Sequence, residues 1–296
     1  MPTPRSVYLF LAVGLLAASQ SGNIIRLGQA HPVAIAAWRL LLAAAILAPL
    51  AGGGLARLRT LSRAEALLLL AAGAALATHF FAWIAAVQQT TVANAALVFS
   101  INPVLTGLAA HLVFRERLGS RLLASIALGL AGVAVIGWSD LAFRPEHLPG
   151  DLWALVCSAL FTVYFLLGKR LRQILPTATY VVALYAVAAA VSFVCLLALD
   201  LPLVDYDGQT WLCFGLMALV PTVLGHTSLN HALRHIAASR ISVATLSEPA
   251  LAGVVAYLAW DEAMTLRAAV GYVLICASIV VLVTERRDGA TPATDG

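Results

Sequence analysis

Apolar residues fall in long blocks along almost the whole chain, and short polar breaks marked by Pro, Gly or Asp separate them. A helix needs roughly 20 mostly apolar residues to cross the hydrocarbon of a bilayer. On that measure the pattern predicts ten spans, at about 7–26, 33–51, 65–87, 92–112, 120–138, 151–169, 178–199, 211–233, 240–260 and 267–284. No soluble domain is inserted between them. The first block follows Arg5 and has the look of a secretion signal, but it lacks a small-residue cleavage site and nine similar blocks follow, so it reads as an uncleaved span.

Two of the blocks echo each other. INPVLTGLAAHLVFRER, from Ile101 to Arg117, overlies SEPALAGVVAYLAWDEA, from Ser247 to Ala263, without a gap. Pro103/Pro249, Leu105/Leu251, Gly107/Gly253, Ala110/Ala256, Leu112/Leu258 and Glu116/Glu262 coincide, and Arg121/Arg267 extend the match. The separation, 146 residues, is about half the chain. The sequence therefore reads as one five-helix unit written twice, residues 1–145 and 146–296. Five is odd, so the second unit must cross the membrane in the opposite sense, which makes the repeat inverted. Proline-interrupted hydrophobic segments at matching places in two halves mark secondary transporters.

Composition agrees. Hydrophobic residues make up 61% and charged residues 11%, with a mean hydropathy of +0.93, whereas soluble domains run near 45–50% and 25%. The net charge of +4 is a topology signal. Placing both termini in the cytoplasm puts Arg5, Arg57, Arg59, Arg63, Arg115, Arg117, Arg121, Lys169, Arg170, Arg172, Arg234, Arg240, Arg286 and Arg287 there, and leaves Arg144 and Arg267 outside. Basic residues scattered over loops make no nucleic-acid surface. Cys157, Cys195, Cys213 and Cys276 lie in apolar runs at no metal-ligand spacing, so no disulfide, metal or cofactor is expected.

These features resemble the EamA-like members of the drug/metabolite transporter superfamily. The carrying residues are HPVAIAAWRLLLAA, where Pro32 precedes Arg39, then NPVLTGLAAHLVFRERL, and SEPALAGVVAYLAWDEAM. The resemblance implies an all-α membrane protein that exports small metabolites, often amino acids, across the bacterial inner membrane by alternating access. It also implies that the fifth and tenth helices lie outside the substrate path. The second half departs from the pattern, because Ala183 follows Pro176 where Arg39 follows Pro32.

Several residues carry candidate function. Pro103 and Pro249 remove an N–H and free the carbonyls of Phe99 and Thr245, which makes each a hinge or a static kink. Glu248 sits about 12 Å inside its span at 1.5 Å per residue. It can carry protons, bind a substrate ammonium, or brace its helix, and the neutral Asn102 in the matching place of the first half favours the brace. Arg39, about 10 Å deep, is open to a substrate carboxylate, to Glu248, or to the interface, and pairing with an acid is the expected role. His79 and Trp83 share one face of the third span, and His226 and Asn230 share one face of the eighth. Phe80 and Phe81 point elsewhere, to lipid or core. With Ser19, Gln20, Asn23, Thr162 and Tyr164 the polar set outlines an amphipathic pocket. Glu116 and Glu262 read as loop braces. Gly129, Gly132, Gly137, Gly271, Ala277 and Ser278 allow close contact of the fifth and tenth helices, within the chain or in a homodimer.

The expectation is thus a ten-helix exporter of small amphiphilic metabolites, with amino acids, including aromatic ones, as the leading class. A carrier for sugars, nucleotide sugars or phosphorylated metabolites is the alternative within transport, and a lipid-modifying membrane enzyme the alternative outside it. The first calls for several cavity cations and the second for a clustered acid, histidine or metal set. The partners expected are a small-molecule substrate and the lipid bilayer, with no nucleic acid.

Overall fold

The computed structural model describes residues 5–136, 145–260 and 265–284. Among these the structure consists of helices joined by short loops, with no strand. Eight helical segments are long and apolar enough to cross a bilayer: α1 (Arg5–Ile25), α2 (Pro32–Thr60), α3 (Arg63–Gln89), α4 (Val92–Phe114), α6 (Leu148–Leu171), α7 (Thr177–Ala198), α8 (Gly208–Ala232) and α10 (Leu266–Val283). Two further helices are seen among the described residues. α5 (Ser120–Ile136) has 17 residues, and α9 spans residues 238–260 in three pieces. Gly137, Arg144, Glu262, Arg286 and Arg287 lie outside the described residues.

Side chains set where the helices begin. Ser62 caps α3 in a reciprocal box, its hydroxyl accepting from the Glu65 N–H while the Glu65 carboxylate accepts from the Ser62 N–H. Thr91, Asp207 and Thr265 accept from the third residue beyond them at the starts of α4, α8 and α10.

Few of the helices are regular throughout. α1 is interrupted at Gln20, α2 tightens into a 3-10 tail over Gly52–Thr60, and α8 widens into π-helix over Ala218–His226, around Pro221. α4 is broken between Phe99 and Asn102, and α9 between Ala244 and Glu248, so both breaks precede the matched prolines.

Packing follows a consistent exchange. α3 lies along α6 and α7, as α8 lies along α1 and α2; α4 touches α6, as α9 touches α1. α2 pairs with α7, α4 with α9, and α5 with α10. Every one of these contacts maps onto another, or onto itself, when each helix is replaced by the one five places away. The largest apolar core lies between α2, α3, α6, α7 and α8, and buries Tyr164, Tyr180 and Tyr185 completely.

α5 and α10 meet through small residues. A Cβ on Gly132 would sit 2.8 Å from the Gly271 carbonyl oxygen, and Ser125 and Ser278 exchange hydrogen bonds with each other's carbonyls at 3.0 and 2.7 Å. Of the two uses expected for these small residues, contact within the chain is the one seen between α5 and α10.

The bundle has two poles. One gathers the basic loops: the Arg121 guanidinium donates to the Thr284 carbonyl, Lys169 meets Glu116, and Arg172 reaches Asn230 and Thr177. At the other, Trp38 donates to the Leu203 carbonyl, Gln88 to that of Ala30, and Asn94 to Asp151.

Candidate functional site

A cavity of about 200 Å³ lies between the two sets of helices. Its walls come from the second half of α1, Arg39 near the start of α2, the last third of α3, the first piece of α4, and both sides of the α9 break. Exposed Arg26, with Val92, Ile136 and Tyr272, lies towards the pole opposite the basic loops. His79, Phe161, His226 and Thr245 form the inner wall. The lining is mostly apolar and aromatic, with a few polar groups, as expected of a small-molecule site.

Arg39 is the buried cation of this wall. Its Nε–H donates to the Thr222 hydroxyl at 2.9 Å, and its guanidinium stacks on Phe80, 3.8 Å from the ring centroid. The Thr222 hydroxyl is itself oriented, since it donates to the Met217 carbonyl at 2.7 Å in the π-helical stretch of α8. No carboxylate meets Arg39 among the described residues, and its two terminal nitrogens are buried without a hydrogen-bond partner. The expected pairing with an acid is therefore not found. A hydroxyl and an aromatic face take that place, tying α2 to α8 and α3.

Glu248 corrects its expectation as well. Its side chain is half-buried in the cavity wall, and its carboxylate makes no hydrogen bond or ion pair among the described residues. The brace is made instead by Asn102, its counterpart in the other half. Asn102 is wholly buried; its Oδ1 accepts from Thr106 at 2.7 Å, and its amide lies 3.5 Å from the Thr245 hydroxyl. Asn102 thus links the break in α4 to the break in α9. The carbonyls freed by the prolines are also satisfied. Ser158 donates to Phe99 O at 2.7 Å, and the Thr245 carbonyl accepts from the Glu248 N–H in the 3-10 turn.

Below the cavity, towards the basic pole, the helices are latched. Glu116 follows α4, and its carboxylate accepts from the Ala238 N–H at 3.1 Å, the Ser239 N–H at 3.2 Å and the Ser239 hydroxyl, at the first turn of α9. Lys169, at the end of α6, completes the group at 2.8 Å. Burial pushes the Glu116 carboxyl up, but Lys169 and Ser239 outweigh it and hold it below its ordinary range. Beside this latch a polar chain runs from His226 through Tyr164 and Asn230 to Arg172 and Thr177.

The cavity thus brings together Ser19, Asn23, Arg39, His79, Trp83, His226, Glu248 and Pro249. Gln20 stands behind them, holding Ser19 and Asn23 by hydrogen bonds. Tyr164 and Asn230 are fully buried under His226, and Pro103 is buried at its break, outside the lining. The sequence reading missed Phe99, Phe161 and Tyr272. Phe80, expected at lipid or core, is in the buried core, and its ring also carries Arg39 and lines the cavity.

Tyr272 belongs to α10, and Val133 and Ile136 to α5, so both helices reach the cavity, contrary to the expectation that they stand aside. Gly253 permits this, because a Cβ there would fall 2.1 Å from the Tyr272 hydroxyl.

Comparison with known proteins places this architecture. The EamA-like transporter family profile matches twice, over residues 5–138 and 148–284. A protein of Ancylobacter novellus named aromatic amino acid exporter YddG is 27% identical over 214 residues, covering 70% of this chain and 73% of the relative. An uncharacterized transporter of Archaeoglobus fulgidus is 25% identical over 203 residues, covering 67% and 70%. A solved crystal structure superposes with a TM-score of 0.79 over 93% of this chain and 96% of its own, at 23% identity, and so shares the fold.

Proposed function

The chain belongs to the EamA-like transporter family, and from that premise we propose that it exports small amphiphilic metabolites by alternating access. Amino acids, aromatic ones included, are the leading class. The observation that carries this reading is a cavity with aromatic and charged walls that is latched at the basic pole and reaches the opposite one. A relative named as an aromatic amino acid exporter supports the substrate class.

In this reading the chain makes ten crossings of a bacterial inner membrane as two inverted halves, with both termini in the cytoplasm. Three observations support it: the arginine-rich loops gather at one pole, the family profile matches twice, and the helix contacts survive a five-place exchange. The structure is then an outward-open state, with the Glu116 latch as its closed cytoplasmic gate. Passage to the inward-open state requires that latch to part and α4 and α9 to bend at the breaks that Asn102 and Thr245 join. Among the described residues the lining holds one buried guanidinium, Arg39, one that is exposed, Arg26, and the Glu248 carboxylate; this is short of the cluster of cations that phosphorylated anions call for.

Proteoliposomes holding the purified protein test this. We expect flux of labelled phenylalanine, tyrosine or leucine above that of protein-free vesicles, and a different rate when a pH gradient is imposed if protons are coupled. No flux of any amino acid in the panel would remove the substrate class.

A further inference from the structure

We infer that Glu248 is the ligand-binding carboxylate of the cavity, and that it recognises a protonated amine held against aromatic faces. The inference rests on the reading that this cavity is the transport site. Glu248 opens the second piece of α9, half-buried and with no protein hydrogen bond or ion pair among the described residues. A carboxylate at this depth is costly without a counter-charge. Arg39, in the same wall, makes no ion pair with it: its Nε–H is held by Thr222 and its guanidinium lies on Phe80. The bracing that could have explained an acid here belongs to Asn102.

The rest of the wall points to the same ligand chemistry. Trp83, Phe99 and Tyr272 are half-buried and line the cavity with Glu248. Trp83 is fixed by its indole N–H, which donates to the Ser21 hydroxyl at 3.1 Å, and it meets Phe99 edge to face at 5.8 Å. Aromatic faces are electronegative and attract ammonium groups while disfavouring anions. A single accessible carboxylate among such faces matches a small ammonium with an apolar or aromatic body. The amine is then the required group, and a substrate carboxylate is dispensable.

Three ligands that share one ring and chain separate the alternatives: phenylalanine, phenethylamine and phenylpropionate. Calorimetric titration of the purified full-length protein should show binding of the first two, with phenylpropionate at least about tenfold weaker. A hydrogen bond to a charged group contributes about 1.5–3 kcal/mol, so Glu248→Gln should weaken both amines by about ten- to a hundredfold. Glu248→Asp should retain part of the affinity, which separates loss of the carboxylate from loss of fold; melting temperatures of both variants provide the second check.

Equal binding of phenylpropionate and phenethylamine would overturn the inference, and so would unchanged amine affinity in Glu248→Gln, the result expected if this group carries only a proton. Failure of all three ligands to bind would overturn it too. Amino-acid flux in proteoliposomes is read independently, so this inference can fail while the transport reading stands.

Discussion

Replacing Glu116 with alanine is expected to open the basic pole. The variant loses three hydrogen bonds at the start of α9 and the ion pair with Lys169 in one step. Each hydrogen bond to a charged group is worth about 1.5–3 kcal/mol, so even one uncompensated loss shifts the balance of access states by at least about tenfold. A cysteine at Ser242, wholly buried behind the latch, reports the change. It should be inert to a membrane-impermeant thiol reagent in the parent and reactive from the basic side in Glu116→Ala, with Glu116→Gln between them. Labelling that does not change would show that the latch is incidental to closure.

The same latch carries a pH dependence. The Glu116 carboxyl is held below its ordinary range in the closed state. Its stabilisation is therefore complete above the ordinary carboxylate pKa and is lost as the pH falls through the lowered value. Labelling of the Ser242 cysteine in the parent, divided by its rate in Glu116→Ala at the same pH to remove the thiol's own titration, should rise in acid; a ratio that does not change with pH would contradict the latch.

Pro103→Ala and Pro249→Ala are expected to slow transport by at least about tenfold, equivalent to about 1.4 kcal/mol of bias towards one state. Neither should lower the melting temperature much, because alanine is the better helix former. Each variant restores an N–H and allows a continuous helix across its break. In Pro103→Ala the new donor competes with Ser158 for the Phe99 carbonyl, now satisfied from α6. In Pro249→Ala it competes with the 3-10 turn at Thr245. Normal transport by both variants would make the breaks static kinks.

Much of this architecture is legible in the sequence, and the reasons are local. Span positions follow from apolar blocks, and the breaks in α4 and α9 fall where Pro103 and Pro249 forbid a continuous helix. The matching of Ile101–Arg117 with Ser247–Ala263 anticipates that the two breaks occupy equivalent places. Contacts between helices are where the reading fails. Arg39 was expected to find an acid, but its partner is a threonine whose hydroxyl is presented by π-helical geometry around Pro221, and nothing in the residue pattern announces that widening. Tyr272 sits in a helix that is apolar on every side, so only packing against Gly253 reveals that it faces the cavity. Glu248 and Asn102 occupy matching positions, which in the sequence favours a shared bracing role over proton carriage or ammonium binding by Glu248. The structure divides the roles, because the carboxylate turns to the cavity and the amide turns to Thr245.

Alternating access itself is tested most directly by counterflow. Vesicles containing the protein and preloaded with unlabelled phenylalanine are diluted into a trace of labelled phenylalanine, with no pH gradient. A carrier whose cavity faces one side at a time must exchange inside for outside substrate. Labelled phenylalanine should accumulate transiently above its equilibrium level and then decay, and neither preloading with an unrelated sugar nor protein-free vesicles should give the overshoot. A monotonic rise to equilibrium, identical with and without preloading, would show an open pore or leak and contradict the account.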